Sequence, residues 1–249
     1  MQRFVFSIGH HSNDPGAVAN NTTEHNEVKA LVNKAVKELA AKGINTYVIP
    51  VNLTLVKKIQ WVNYYFTVND FLLSVHLNAA NSSAATGIST WFYGGDNSSK
   101  KFAKVIQYQL IKDLSLKDRG VKSDTSNRHG RLGIIRDSKT KAWLVELGFI
   151  SNYSDLQKVR TKGLQALVNV VLKFFSSQNP FLKSSPFIIN TNTKKTTFSD
   201  VMPQDWCFSL VEKAYKKKIM KGFSDGTFKP NNPLTRAELL AVLNNLNLL

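Results

Sequence analysis

Three short stretches, far apart in the chain, carry side chains that can do chemistry: SIGHHSNDPGA (7–17), SVHLNA (74–79) and LVELGFISN (144–152). Each sets a His or Glu after, or inside, a run of apolar residues that reads as a buried parallel strand. In open α/β sheets ligands bind outside the carboxyl ends of the strands. Two imidazoles and a carboxylate converging there suggest a zinc site with one position left open. Glu24, as a further ligand, closes the set into that of a hydrolase. The single Cys207 excludes a thiolate cage, so any metal must be held by His, Asp or Glu. Spacing alone does not settle the assignment, because a lone His after a strand is more often a packing residue than a ligand.

The elements that must position these groups alternate between strand and helix over residues 1–175, the mark of a mostly parallel twisted sheet with helices on both faces. Strands are predicted at 3–8, 46–51, 71–76, 87–93, 132–136 and 142–147. FLLSVH and AWLVEL are continuous apolar runs, as strands buried on both sides require. Helices are predicted at 24–42, 54–66, 98–114 and 162–175. In the first of them Val28, Leu31, Val32, Ala35 and Leu39 repeat at helical spacing and Gly43 closes the helix. From 176 to 197 periodicity vanishes into SSQNPFLKSSPFIINTNTKKTT, which reads as a linker. Residues 198–249 then form a small α-helical C-terminal module. It holds a helix from about Trp206 to Lys218, an Asp-Gly turn in GFSDGTFKP, and a second helix opened by a Thr235/Glu238 capping box. About 50 residues without a disulfide is marginal for independent stability.

Composition narrows the classes. No segment approaches the ~18 apolar residues of a membrane span. There are 33 Lys+Arg against 17 Asp+Glu, a formal +16, and such a field draws a protein toward polyanions. Nucleic acid and the anionic polymers of a bacterial wall are both candidates. With no finger spacing, RNP string or helix-turn-helix, no dedicated nucleic-acid binding is expected. The N-terminus passes from Met1 straight into FVFSIG with no apolar leader. Synthesis in the cytoplasm without a signal peptide is therefore expected.

Taken together, the three stretches, Glu24, RGVK (119–122), LGIIRD (132–137) and GIST (87–90) resemble the zinc-dependent N-acetylmuramoyl-L-alanine amidases of the type-three kind. The resemblance covers most of 1–175. It implies one Zn2+ per catalytic domain, held by His10, Glu24 and His76, with Glu146 as the catalytic acid–base group. It also implies a peptidoglycan substrate, cut at the amide between N-acetylmuramic acid and L-alanine. The family usually has Gly after the first histidine, where this chain has His11, leaving His11 as a substrate contact, a supporting group or an alternative ligand. Glu27 rivals Glu24, but choosing it would break the match of Leu31, Ala35 and Leu39 to the family's apolar spacing. His25 is expected to face solvent and His129 to lie in a loop. Asn78 and Arg136, the latter at the end of the strand expected over 132–136, are candidates for binding peptide carboxylates. Arg136 could instead pair with a buried Glu146.

FSDV (198–201), Trp206, the turn from Gly222 to Pro230 and LTRAE (234–238) resemble a surface-layer homology module. The resemblance implies binding of an anionic secondary wall polymer, with Arg236 the best candidate contact because a fixed guanidinium suits carboxylates. Trp206 and Cys207 read as packing residues. Family members usually carry three copies and this chain has one, which makes self-association, most simply a trimer, the expectation, with a degenerate module packed on the amidase domain as the alternative. The whole reads as an endolysin-like enzyme, made without a leader and acting at the cell wall after release. Two alternatives accompany it: a bacterial autolysin of the same activity, and a catalytically inactive wall-binding protein.

Overall fold

The protein is described by a computed structural model covering residues 2–126, 130–175, 197–201, 207–230 and 232–249. The chain divides into two compact units, 1–189 and 190–249.

The first unit is built on a six-stranded sheet. In chain order its elements are β1 (Phe4–Ile8), a two-residue hairpin of β2 (Val18–Ala19) and β3 (Thr22–Thr23), α1 (Glu24–Ala41), β4 (Thr46–Val48) and α2 (Leu55–Tyr65). There follow β5 (Phe71–Asn78), β6 (Ile88–Phe92), α3 (Asn97–Leu114), β7 (Asp118–Ser123), α4 (Gly133–Arg136), β8 (Lys141–Phe149) and α5 (Tyr153–Phe175). The strand order is β4-β1-β5-β8-β6-β7. Strands β4, β1, β5 and β8 are mutually parallel, while β6 runs antiparallel to β8 and carries β7 parallel to itself. The four parallel strands therefore end together at one edge, where His10, His76 and Glu146 lie.

The continuous apolar runs are explained by two cores, one on each face of the sheet. Phe4, Phe6, Ile8, Phe71, Leu73, Val75, Trp143, Val145 and Leu147 pack with residues of α1, α3 and α5. The alternate residues Val5, Leu72, Ala142 and Leu144 pack with Val62 of α2 and with Ile134 and Ile135 of α4. Helix α1 buries the stripe read from the sequence and starts where the Thr23 hydroxyl accepts the Asn26 amide at 3.2 Å.

Two predicted elements need correction. Residues 132–136 are not a strand: 133–136 form the single-turn helix α4. A five-residue apolar run carries no periodicity that separates a buried strand from a buried helical turn. The strand that completes this end of the sheet is β7, DRGVKS, whose polar residues suit an edge position and hid it. Helix α5 also begins at Tyr153 rather than 162, because its first turns bury little beyond Asp155, Leu156 and Val159.

The second unit contains α6 (Phe208–Lys216) and α7 (Arg236–Asn245). Its core consists of Phe198, Val201, Cys207 and Val211, with Phe208 and Phe228 packed against them. The Asp200 carboxylate accepts the amides of Phe228 and Lys229, each at 2.7 Å, and so ties FSDV to the Asp-Gly turn, where Gly226 has φ +78°. The capping box forms as expected: Thr235 Oγ1 accepts the Glu238 amide at 3.2 Å and Glu238 Oε2 accepts the Thr235 amide at 2.8 Å. Helix α7 buries none of its residues, leaving Leu239 and Leu240 about half exposed. Between α6 and α7 lies a cavity of about 680 Å³, lined by Val211, Ala214, Met220, Phe228 and Val242 among others. Trp206 and most of the expected linker, 176–196, lie outside the described residues.

Candidate active site

His10 sits two residues beyond β1, in a loop folded tightly against its own ring. Its backbone is left-handed, with φ 61°, a conformation that needs support from its surroundings in a residue with a side chain. That support comes from Lys58 of α2, a buried lysine whose Nζ donates to the carbonyls of both Ile8 and His10. Burial pushes the Lys58 ammonium down to about 8. On the other side, Asp14 Oδ2 lies 2.8 Å from His10 Nδ1. Gly16, with φ +68°, lets the chain pass the ring, since a Cβ there would come within 2.4 Å of His10 Cδ2. Gly9 is required for a similar reason: its Cβ would lie 2.7 Å from His76 Nδ1.

Glu24, the first residue of α1, joins the two imidazoles. It is 3% exposed; its Oε2 is 3.1 Å from His10 Nε2 and its Oε1 is 2.8 Å from His76 Nδ1. Its carboxylate also accepts the Leu77 amide at 3.2 Å and the Ala17 amide at 3.4 Å. Burial alone would raise this carboxyl, but the two imidazoles outweigh it and hold it far below the usual carboxylate range. Glu24 in turn, with Asp14, lifts the His10 imidazole to about 9 against the opposing effect of burial.

One donor atom from each of His10, Glu24 and His76 lies within 4.8 Å of the others, and among the described residues this is the one such cluster of three. The residues fit a divalent cation such as zinc. The donors are nitrogen and oxygen without sulfur, and Asp14 holds Nδ1 of His10 so that Nε2 faces the cluster, the carboxylate–imidazole support typical of metal sites.

Glu146 is placed by strand register. It lies opposite His76 on β5 and opposite Ser89 on β6. Directly paired residues project from the same face, so Glu146 and His76 stand side by side. Its Oε2 is buried and has no hydrogen-bond partner among the described residues. Burial, followed by the Glu24 charge, pushes its carboxyl up to about 8, with His10 and Lys122 opposing. A carboxyl raised in this way beside a cation site can exchange protons near neutral pH.

The other candidates separate from the cluster. His11 lies in the turn, bridged to Asp14, and its Nδ1 accepts the Asn13 amide at 3.3 Å. Glu27 is engaged by Thr22 and by Arg160 of α5. His25 does not face solvent: it is 5% exposed, with Nδ1 3.1 Å from the Gly9 carbonyl. It shares a face with Val28 and Val32 at i+3 and i+7, which turns it inward. Asn78 ends β5, its carbonyl accepting the Ile150 amide. Arg136 closes α4 rather than a strand and pairs with Asp124 instead of Glu146. Arg236 opens α7, exposed and without an ion pair among the described residues. His129 lies outside the described residues. Two supporting residues escaped sequence reasoning. Asp14 was legible in principle as an acid four residues after His10 in a DPG turn, whereas Lys58 resembles any helix-surface lysine.

The fold and this cluster define an α/β protein with three side chains at the strand ends that could hold a metal ion and a raised carboxyl beside them. The N-acetylmuramoyl-L-alanine amidase family model matches residues 5–173, and the chain belongs to that family. A second match, to the S-layer homology domain, covers 197–240. The chain is 31% identical over 178 residues to the uncharacterized protein YqiI of Bacillus subtilis (strain 168), covering 67% of this chain and 82% of that protein. It is 32% identical over 156 residues to the N-acetylmuramoyl-L-alanine amidase LytC of the same organism, covering 61% of this chain but only 30% of LytC. The crystal structure of an N-acetylmuramoyl-L-alanine amidase from Clostridium difficile 630 superposes with a TM-score of 0.61 at 27% identity, over 71% of this chain and 98% of that one.

Proposed function

We propose that this protein hydrolyses the amide between N-acetylmuramic acid and the L-alanine of the peptidoglycan stem peptide, with one zinc ion held by His10, Glu24 and His76 and with Glu146 as acid–base group. The observation that carries this reading is the placement of Glu146, half-buried with its Oε2 buried and unpartnered among the described residues, beside His76 of the converged triad. A bound zinc ion would acidify water and polarise the amide carbonyl. The protein's own groups do the rest. Glu146 takes a proton from the attacking water at its free oxygen and delivers it to the departing alanine nitrogen. Asp14 fixes the His10 ring, and Lys58 holds the loop that carries it.

The experiment is a digest of purified peptidoglycan, followed for new amino groups and for new reducing sugar ends. Amino groups without reducing ends, abolished by chelator and restored by zinc, are expected. Reducing ends, or amino-group release indifferent to chelation, would refute the assignment. Release of neither kind by folded, zinc-loaded protein would favour the inactive wall-binding alternative.

An S-layer homology domain associates its protein with a cell wall or surface, and no described helix is long and apolar enough to cross a membrane. The finer proposal is that the module binds an anionic secondary wall polymer, with Arg236 as a contact, and associates with further copies of itself. The bare apolar face of α7 and the cavity beside it support self-association. Sedimentation equilibrium should then show a concentration-dependent oligomer. A strict monomer with wall binding intact would exclude it. We further propose that the enzyme acts on the cell wall in the manner of an endolysin, with a bacterial autolysin of the same activity as the alternative.

A further inference from the structure

With Arg136 occupied, the site needs another cation if it is to hold an acidic peptide. Arg136 donates from Nε and Nη2 to both oxygens of Asp124, at 2.7 and 3.0 Å, and lies over the Tyr93 ring. Strand register identifies a different residue. On β6, Ser89 pairs with Glu146 and Trp91 with Leu144; on β7, Lys122 pairs with Trp91. Paired residues share a face, as do residues two apart along a strand, so Glu146, Trp91 and Lys122 line one surface together with His76.

Lys122 is half-buried, and its Nζ lies 5.1 Å from the centroid of the Trp91 ring. It forms no hydrogen bond or ion pair among the described residues. Its charge is nonetheless felt at Glu146, where it opposes the rise of that carboxyl. A partly desolvated ammonium without a hydrogen-bonded anion is costly unless a ligand supplies one. β7 lies two strand spacings from β8, roughly 10 Å. An extended peptide advances about 3.4 Å per residue, so a carboxyl on the second or third stem residue reaches that far from a bond cut at Glu146. Neutral N-acetylated sugars offer hydroxyls, which do not balance an ammonium.

We propose that Lys122, seated on the Trp91 ring, determines specificity by binding a free carboxylate of the stem peptide beyond the scissile amide. The proposal rests on the amidase reading above. Its test uses two soluble muropeptides that are identical except for one stem-peptide carboxyl, free in one and amidated in the other. The full chain, Lys122→Met and Lys122→Arg are compared on both, with kcat and KM resolved and pH profiles recorded. Wild type should prefer the free carboxyl. In Lys122→Met the ratio of kcat/KM, free over amidated, should fall about tenfold, the scale of one charge-assisted hydrogen bond, chiefly through KM. Lys122→Arg should restore part of that preference. An unchanged ratio or a loss confined to kcat would overturn the proposal, the latter assigning Lys122 to Glu146 instead; the pH profile of Lys122→Met should move upward alike on both muropeptides, because the lost charge opposes the rise of the Glu146 carboxyl. If wild type cleaved neither muropeptide, the amidase reading itself would fail.

Discussion

Asp14 and Lys58 lie outside the His10–Glu24–His76 cluster, yet they determine where His10 stands. A histidine in left-handed backbone, approached by Gly16 on one side and anchored by Lys58 through two carbonyls, has little freedom of its own. Its ring orientation depends on Asp14, 2.8 Å from Nδ1. Removing such a partner typically lowers metal affinity by about 10–100-fold. Asp14→Ala should therefore lose zinc to a competing chelator at correspondingly lower chelator activity while keeping its far-UV circular dichroism. Affinity equal to wild type would show that the Asp14 contact does not prepare the site. At this scale the convergence of His10, His76 and Glu146 at the strand ends was legible because apolar runs announce strands and the polar residues at their ends stand out, whereas Glu24, at a helix start, was read only through the family resemblance. Lys58 was not legible, since nothing in a helix sequence tells which lysine turns inward.

At the scale of elements, the starts of β1 and β5 are tied by Arg3 and Asp70. Asp70 Oδ1 accepts the Arg3 amide at 2.9 Å, Oδ2 accepts Arg3 Nη2 at 2.7 Å, and the Thr67 amide adds a further bond at 2.8 Å. Burial would raise this carboxyl, but the guanidinium and the amides outweigh it and hold it below its ordinary value. A depressed carboxyl stabilises the fold fully above its unfolded pKa of about 3.9, and that stabilisation is lost as pH falls through the folded value. Asp70→Asn should cost about 1.5–3 kcal/mol in urea unfolding at neutral pH, the range for hydrogen bonds to charged groups. The difference from wild type should shrink in acid below the unfolded value. A difference constant from neutral pH into acid would contradict this origin. The element errors have the same root in physics. LGIIR and DRGVKS carry too little pattern to reveal a helical turn and an edge strand, whereas α1, β5 and β8 announced themselves through long periodic or continuous apolar runs.

For the molecule as a whole, the formal charge of +16 should act on where the enzyme goes more than on what it does. Long-range attraction to an anionic wall is screened as the Debye length shrinks from about 8 Å at physiological salt to about 3 Å at 1 M. Chemistry inside a partly buried site is screened much less. Raising salt over this range should weaken adsorption to walls more than turnover of a soluble muropeptide. Equal losses would remove the steering role. The wall-directed character and the amidase site meet in one chain, and the link between them rests on Glu146 performing the proton transfer. The most direct measurement is turnover by Glu146→Gln loaded with one zinc per chain. Turnover should fall by about 10²–10⁴-fold, the usual contribution of a positioned acid–base group, with zinc content unaltered. Activity within a few-fold of wild type would contradict that role for Glu146.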